Sequence, residues 1–446
     1  MDLRERASPD LNPLQIAGSA NRRHIGGGSS CPMPSTSYGS LRPASLIVFH
    51  SAARLPSPHL PMPIRLSRFH ALPLASLCLS LALTGCVTGE ERETVVRSEP
   101  ALKDAYQGAF LVGVAVNDAQ VSGRARGAAA LALHHFNSIT AENEMKWEKI
   151  HPKPGRYNFA PADRFVAFGE TNGMTVIGHT LVWHNQTPQW VFQDSAGQPV
   201  SRDELLKRMR EHIHTVVGRY KGRVRGWDVV NEALNDDGTL RESPFYRIIG
   251  EEYIALAFRY AHEADPEAEL YYNDYNIENE PKWRGAVALI RRLQEQGVPI
   301  HGVGIQNHVN LDWPTDAQLE ASIRAFADLG LKVHITELEV DPLPLAFQYT
   351  TAEITSRAEL RAELNPYAAG LPAEKQEALA RRFAQLFRLY SRHSDVIERV
   401  TLWGVHDGAS WLNNWPVPGR TSHPLLFDRQ LEPKPAFHAV IEAAGR

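Results

Sequence analysis

Gly226-Trp227-Asp228-Val229-Val230-Asn231-Glu232-Ala233 is the stretch around which the chain is organised. Its largely apolar run, Trp227 to Val230, ends abruptly in an amide and a carboxylate. A buried parallel strand reads this way when its C-terminal end opens onto a site. Lys332-Val333-His334-Ile335-Thr336-Glu337-Leu338-Glu339 has the same form, a β-rich run ending in a carboxylate. Two such strands predict a pair of carboxyl groups converging on one place. In a strictly extended strand Asn231 and Glu232 point to opposite faces. Both serve one site only if the strand end departs from regular pleating.

Working outward, strand-like runs alternate with helical stretches from about residue 101. The predicted strands are 111–116, 138–140, 175–179, 226–231, 270–273, 302–306, 333–336 and 400–405. The predicted helices include 201–220, with Ser201 as cap and Glu204 three residues later, and 244–264, 281–296, 316–330 and 372–393. Eight strands alternating with helices fit a single α/β domain, a (β/α)8 TIM barrel over 101–446. A doubly wound open sheet is the alternative. Its phosphate-binding turn is missing, because Gly123-Arg124-Ala125-Arg126-Gly127 lacks the G-x-G-x-x-G spacing. Barrel enzymes carry their chemistry at the C-terminal ends of strands. Polar residues cluster there in this chain, from Glu142, Asn143 and Lys146 after the second strand to Trp403, His406 and Asp407 after the eighth.

Among 446 residues, 43% are hydrophobic and 22% charged, the balance of a water-soluble domain with a large core. Formal net charge is -4, with no basic patch carrying interleaved aromatics, so nucleic acid is a poor partner. Cys31, Cys78 and Cys86 all precede residue 100, which leaves the globular part without a disulfide framework or a cysteine metal site.

The front of the chain differs. Residues 1–61 are rich in Ser, Pro, Gly and Arg without a sustained period, and read as a non-native or disordered extension with translation starting at Met62. Residues 62–85 hold Arg65 and Arg68, then an apolar run, then Leu83-Thr84-Gly85 before Cys86. This fits a secretory signal peptide and is too short to span a membrane. The ending resembles a bacterial lipobox, which implies that Cys86 is lipidated and becomes the mature N-terminus. Residues 86–100 then form a tether. No Asp follows Cys86, which resembles outer-membrane sorting. The expectation is export across the inner membrane and an outer-membrane lipoprotein, periplasmic or cell-surface, touching the membrane only through its lipid.

Two carboxyls among aromatics point to glycoside hydrolysis, one as acid and one as nucleophile or water activator. Asn231 beside Glu232 is placed to bond a sugar 2-OH, and His308 to orient Glu337 and keep it ionised. Glu142, Asn143, Lys146, His179 and Gln186 offer partners for hydroxyls. Trp183, Trp403 and Trp411 offer walls for sugar rings, while Trp147 and Trp227 read as core and mid-strand His334 as structural. No HExxH or G-x-S-x-G pattern supports a catalytic metal or a serine nucleophile, and neither metal nor cofactor is expected.

The ordered set Thr140-Ala141-Glu142-Asn143-Glu144-Met145-Lys146-Trp147, Gly178-His179-Thr180-Leu181-Val182-Trp183-His184, Trp227 to Glu232, Tyr272-Asn273-Asp274-Tyr275-Asn276, Gly304-Ile305-Gln306-Asn307-His308, Ile335-Thr336-Glu337-Leu338 and Leu402-Trp403-Gly404-Val405 resembles glycoside hydrolase family 10 endo-β-1,4-xylanases. The resemblance runs from about Phe110 to about His438. It implies a barrel, a monomer acting on xylan or xylo-oligosaccharides, and retention of configuration, with the two carboxyls about 5–5.5 Å apart. Carried over by position, Glu232 is the proton donor and Glu337 the nucleophile. Glu142, Asn143, Lys146, His179, Trp183 and Gln186 line the glycone side. Asn231, Gln306 and His308 sit at the cleavage point, Trp403 and Trp411 cover the sugars, and Tyr275 faces the leaving side. Glu339 stands where the family usually has Asp, and its extra methylene is expected to shift the His308–Glu337 hydrogen-bond network with activity surviving. The stretch 343–371 is expected to wall part of the cleft. Related hydrolases of other β-1,4-glucans or mannans, and a non-catalytic sugar-capturing lipoprotein, are the competing readings.

Overall fold

The computed structural model describes residues 100–344, 357 and 359–445. The readings for 1–61, 62–85, Cys86 and most of the tether lie outside the described residues, as does 345–356 of the stretch after Glu339. Nine strands are present among the described residues: β1 (Leu111–Val116), β2 (Ser138–Ala141), β3 (Thr175–Trp183), β4 (Gly226–Asn231), β5 (Glu269–Asp274), β6 (Gly302–Ile305), β7 (His308–Asn310), β8 (Lys332–Asp341) and β9 (Ile397–Leu402). β1 to β6 pair in sequence, β6 pairs with β8, β8 with β9, and β9 returns to β1, all in parallel. The closed eight-stranded ring is the expected (β/α)8 barrel, and short β7 is an unforeseen ninth strand that pairs only along β8.

Closure buries both faces of each strand, and this is why the strands are short apolar runs rather than alternating ones. β4 is buried at every position. Trp227 is completely enclosed. It lies beside Gly178 of β3, where an added Cβ would come within 2.1 Å of the indole. Glycine at 178 is therefore a packing requirement. Gly178→Ala is expected to lower unfolding free energy by about 1–3 kcal/mol, read by urea denaturation, because neither indole nor strand can move aside cheaply.

Helix Arg202–Arg219 starts as read. Ser201 Oγ accepts from the Glu204 N–H at 3.2 Å. Glu204 does not reach back to complete a capping box, since its carboxylate pairs with Arg208 at 2.7 Å. Leu205, Met209, Ile213, Val216 and Val217 form its buried face, at the spacing of one helical stripe.

Four readings need correction. The helix expected over 244–264 is two helices, Pro244–Ile249 and Tyr253–Ala264, because Gly250 at φ 96 ends the first. β3 and β8 run on to Trp183 and Asp341, well past 179 and 336. Polar residues at His179, Glu337 and Glu339 looked like strand ends but are strand residues whose side chains serve the interior. β9 begins and ends earlier than 400–405, since Gly404 at φ 141 takes the chain out of the ladder. His334 is buried in mid-strand against the Tyr271 ring, as its structural reading required.

Candidate active site

A cleft of about 710 Å³ opens at the C-terminal ends of the strands, and all fourteen predicted cleft residues line it. Its centre is the end of β4. The β4–β5 register shifts between Asp228 and Val230, and Glu232 takes φ 56. This departure from pleating brings Asn231 and Glu232 to the same place, with Asn231 Nδ2 donating to Glu232 Oε1 at 3.1 Å. Gln306 Nε2 donates to the same oxygen at 3.0 Å. Trp183 Nε1 donates to Oε2 at 2.9 Å.

Glu337 lies across from it on β8. Asn273 Nδ2 donates to both Asn231 Oδ1 and Glu337 Oε1 at 2.9 Å, so two buried amides join the carboxyls. Thr336 Oγ1 holds Asn273 from the other side at 2.7 Å. Gly304 makes room, since a Cβ there would meet Asn273 Oδ1 at 2.1 Å. Sequence reading gives Asn273 no role, because only strand register places it between the carboxyls.

His308 stands between two carboxylates, with Nε2 3.2 Å from Glu337 and Nδ1 2.9 Å from Glu339. Burial favours the neutral imidazole, but the two hydrogen bonds outweigh it, and its pKa is pushed up to about 10. The cation donates through both nitrogens. Burial likewise opposes ionisation of Glu337, yet its bond from His308 and the nearby His179 hold its carboxyl below the usual range. Glu339 keeps this link despite its extra methylene. Its Oε1 also accepts from Trp411 Nε1 at 2.6 Å.

Four of the residues expected on the glycone side, Glu142, Asn143, Lys146 and Gln186, form one network. Asn143 Oδ1 accepts from Lys146 Nζ and Gln186 Nε2, each at 3.2 Å. Asn143 Nδ2 donates to Glu142 at 3.2 Å. Burial lowers the Lys146 pKa, against the attraction of Glu337, Glu142 and Glu232. Burial raises that of Glu142, against a hydrogen bond from Asn117. His179 Nδ1 is 2.9 Å from Asp228 Oδ2, both buried, which fixes the ring. Asp228 lies inside the β4 stretch, where no local signal marks it as a partner for His179. Tyr275 closes the other side, its hydroxyl accepting from Arg241 at 2.9 Å and Lys282 Nζ lying 3.3 Å from its ring centre. Trp403 meets His179 edge-on, and Trp411 stacks on Trp415 at 4.6 Å.

The chain matches the family model for glycosyl hydrolase family 10 over residues 101–443. It belongs to glycosyl hydrolase family 10. Endo-1,4-beta-xylanase A of Xylanibacter ruminicola is 44% identical over 369 residues, 83% of this chain and 98% of that one. A family 10 endoxylanase structure from a sugarcane soil metagenome is 47% identical with a TM-score of 0.74, covering 77% of this chain and 99% of the other. An intracellular xylanase of Thermoanaerobacterium saccharolyticum, solved with xylotriose, is 38% identical with a TM-score of 0.67, covering 77% and 98%.

As a family 10 member the chain also presents cleft residues that sequence reading does not reach. Trp313, Trp415, Asp236, Asp341 and Arg357 line it. Arg357 belongs to the stretch expected to wall the cleft. Asp341 pairs with buried Arg420 at 3.0 Å. Nothing in composition separates Trp313 and Trp415 from core tryptophans. Among the described residues, no group of three or more His, Cys, Asp or Glu is arranged to hold a metal ion.

Proposed function

We propose that this chain is an endo-1,4-β-xylanase that hydrolyses internal bonds of xylan or xylo-oligosaccharides with retention. The observation that carries the reading is the convergence of Glu232 and Glu337 on one cleft, joined through Asn231 and Asn273. Glu232 protonates the departing oxygen while Glu337 attacks the anomeric carbon. Glu232 then deprotonates water, which releases the sugar from Glu337. Oε2 of Glu232 accepts one hydrogen bond against two at Oε1, so it is the oxygen with room for the proton. Asn231 holds the sugar 2-OH. Glu142, Asn143, Lys146, His179, Trp183 and Gln186 bind the glycone. Gln306 and His308 orient the carboxyls, Trp403 and Trp411 cover the sugars, and Tyr275 bears the leaving side. The test is product analysis on a ladder of linear xylo-oligosaccharides with the wild type and Glu232→Gln. Shorter oligomers that first appear with retained configuration support it. Binding without release of reducing ends would refute it.

The nucleophile must be ionised, so activity is lost as pH falls through the Glu337 pKa. His308 keeps that pKa low. In His308→Ala the carboxyl protonates at higher pH, and the acid limb of kcat/KM is expected to move upward. A pH profile on an aryl xylobioside reads this directly.

We further propose that residues 62–85 are a lipoprotein-type signal peptide, that Cys86 carries the lipid, and that the catalytic domain is a monomer tethered at the outer membrane. The polar tether and the Leu83-Thr84-Gly85-Cys86 sequence support this. Mass spectrometry of the mature N-terminus decides it, a diacylglyceryl-modified Cys86 being the expected species.

A further inference from the structure

Between β6 and β7 the chain turns at Asn307, whose φ is 63. On the side of β8, Ile305 pairs with Ile335 but His308 pairs with Glu339. The offset changes from 335 − 305 = 30 to 339 − 308 = 31, so β8 carries one extra residue opposite the turn, as it does against β9, where Ile335 pairs with Val400 and Leu338 with Leu402. Without that slip His308 would lie beside Leu338 instead of Glu339. Gln306, just before the turn, stays in the ladder through bonds to Asp274 O at 3.0 Å and from Glu337 N at 2.9 Å. The turn thus separates the residue that bonds Glu232 from the residue that bonds Glu337.

The Asn307 side chain is fully buried and takes no part in lining the cleft. Its Nδ2 donates to Glu278 Oε1 at 2.6 Å, and its Oδ1 accepts from the Tyr390 hydroxyl at 2.5 Å. Glu278 precedes helix Glu280–Glu295, and Tyr390 lies in helix Ala373–Arg392. Glycine would make a left-handed turn without any anchor. Asparagine tolerates that conformation and adds two hydrogen bonds to distant elements.

We infer that Asn307 is a positioning residue for both catalytic carboxyls: anchored to Glu278 and Tyr390, it holds the turn that delivers Gln306 to Glu232 and His308 to Glu337. The inference rests on the roles proposed above for Glu232 and Glu337, and it concerns a residue that touches neither carboxyl.

The experiment is steady-state kinetics on xylohexaose with unfolding midpoints measured alongside. Asn307→Gly keeps the turn and removes both anchors. It is expected to lower kcat about 10–100-fold with KM changed less than about threefold, since small misplacements of reacting groups act on the chemical step. Asn307→Asp keeps size and backbone preference but turns a donor facing Glu278 into an acceptor, and kcat falls similarly. Adding Glu278→Gln restores a donor from the opposite side. The double variant is expected to recover most of the lost kcat, which a purely structural role does not require. Tyr390→Phe, which removes one anchor and leaves the turn residue in place, is expected to show a smaller loss of kcat at unchanged KM.

Wild-type kcat in Asn307→Gly, whatever its unfolding midpoint, would overturn the inference. So would a folded double variant no more active than Asn307→Asp. If Asn307→Gly does not fold, the donor swap and Tyr390→Phe decide the question by the same kcat readout. A wild type that releases no reducing ends from xylohexaose would instead overturn the proposed roles of Glu232 and Glu337.

Discussion

Glu337→Ala is expected to lower turnover of xylo-oligosaccharides roughly 10⁵-fold, the scale on which removal of a nucleophile acts in a site that works as a unit. That is about 7 kcal/mol of lost transition-state stabilisation. The side chain is buried on β8, and its place on the barrel is set by the backbone, whose Glu337 N–H donates to Gln306 O at 2.9 Å, rather than by the carboxylate. The fold should therefore survive, as circular dichroism would confirm. With Glu337 as the nucleophile, the vacated space is the one that faces the anomeric carbon opposite the leaving group. Azide supplied with an activated aryl xyloside enters there, makes one displacement, and yields a glycosyl azide of inverted configuration. Proton NMR of that product is the decisive measurement. An azide product of retained configuration, or full turnover without azide, would remove Glu337 from the nucleophile position.

The two carboxyl-bearing strands were legible because a parallel barrel writes its buried strands as apolar runs, and a carboxylate ending such a run is costly unless it is used. Glu232 and Glu337 stand out on that ground with no knowledge of the fold. The opposite-face problem at Asn231 and Glu232 was legible too, and the bulge with φ 56 at Glu232 resolves it. Asn273, Asp228 and Asn307 were not legible. Each acts through a hydrogen bond to another strand or helix, and its meaning depends on register that no local pattern encodes. Asn273 bridges the carboxyls only because Asn231 pairs with Asn273 and Gly304 leaves a gap beside it. The break at Gly250 is hidden because one glycine in a helical pattern is commonly tolerated. The ends of β3 and β8 are hidden for the opposite reason: polar residues that belong to the site imitate the polar residues of loops.

The surroundings of Glu232 make its expected mutant behaviour different in kind. Three side-chain donors face its two oxygens, from Asn231, Gln306 and Trp183. The site is thus built for an acceptor with one free position, which suits a carboxyl that alternately holds and releases a proton. Glu232→Gln puts an amide NH₂ among those donors and removes the transferable proton. Its kcat on xylohexaose is expected to fall about 10²–10⁴-fold, the range in which general acid–base catalysis contributes. On an aryl xylobioside with a good leaving group the first step needs little protonation, so Glu337 is glycosylated readily. The second step still lacks its base. In the wild type, esterification removes the Glu337 charge and makes ionised Glu232 easier to form; the variant cannot use that change. The covalent glycosyl-enzyme should therefore accumulate and be visible by intact-protein mass spectrometry as an added xylobiosyl unit. Azide should accelerate its breakdown and give a product of retained configuration, opposite to that from Glu337→Ala, because two displacements have occurred. The opposite anomers separate the two roles more sharply than either rate does. An inverted azide from Glu232→Gln, or equal losses of kcat/KM, which reports the first step, on xylohexaose and on the activated substrate, would mean that Glu232 is not the proton donor.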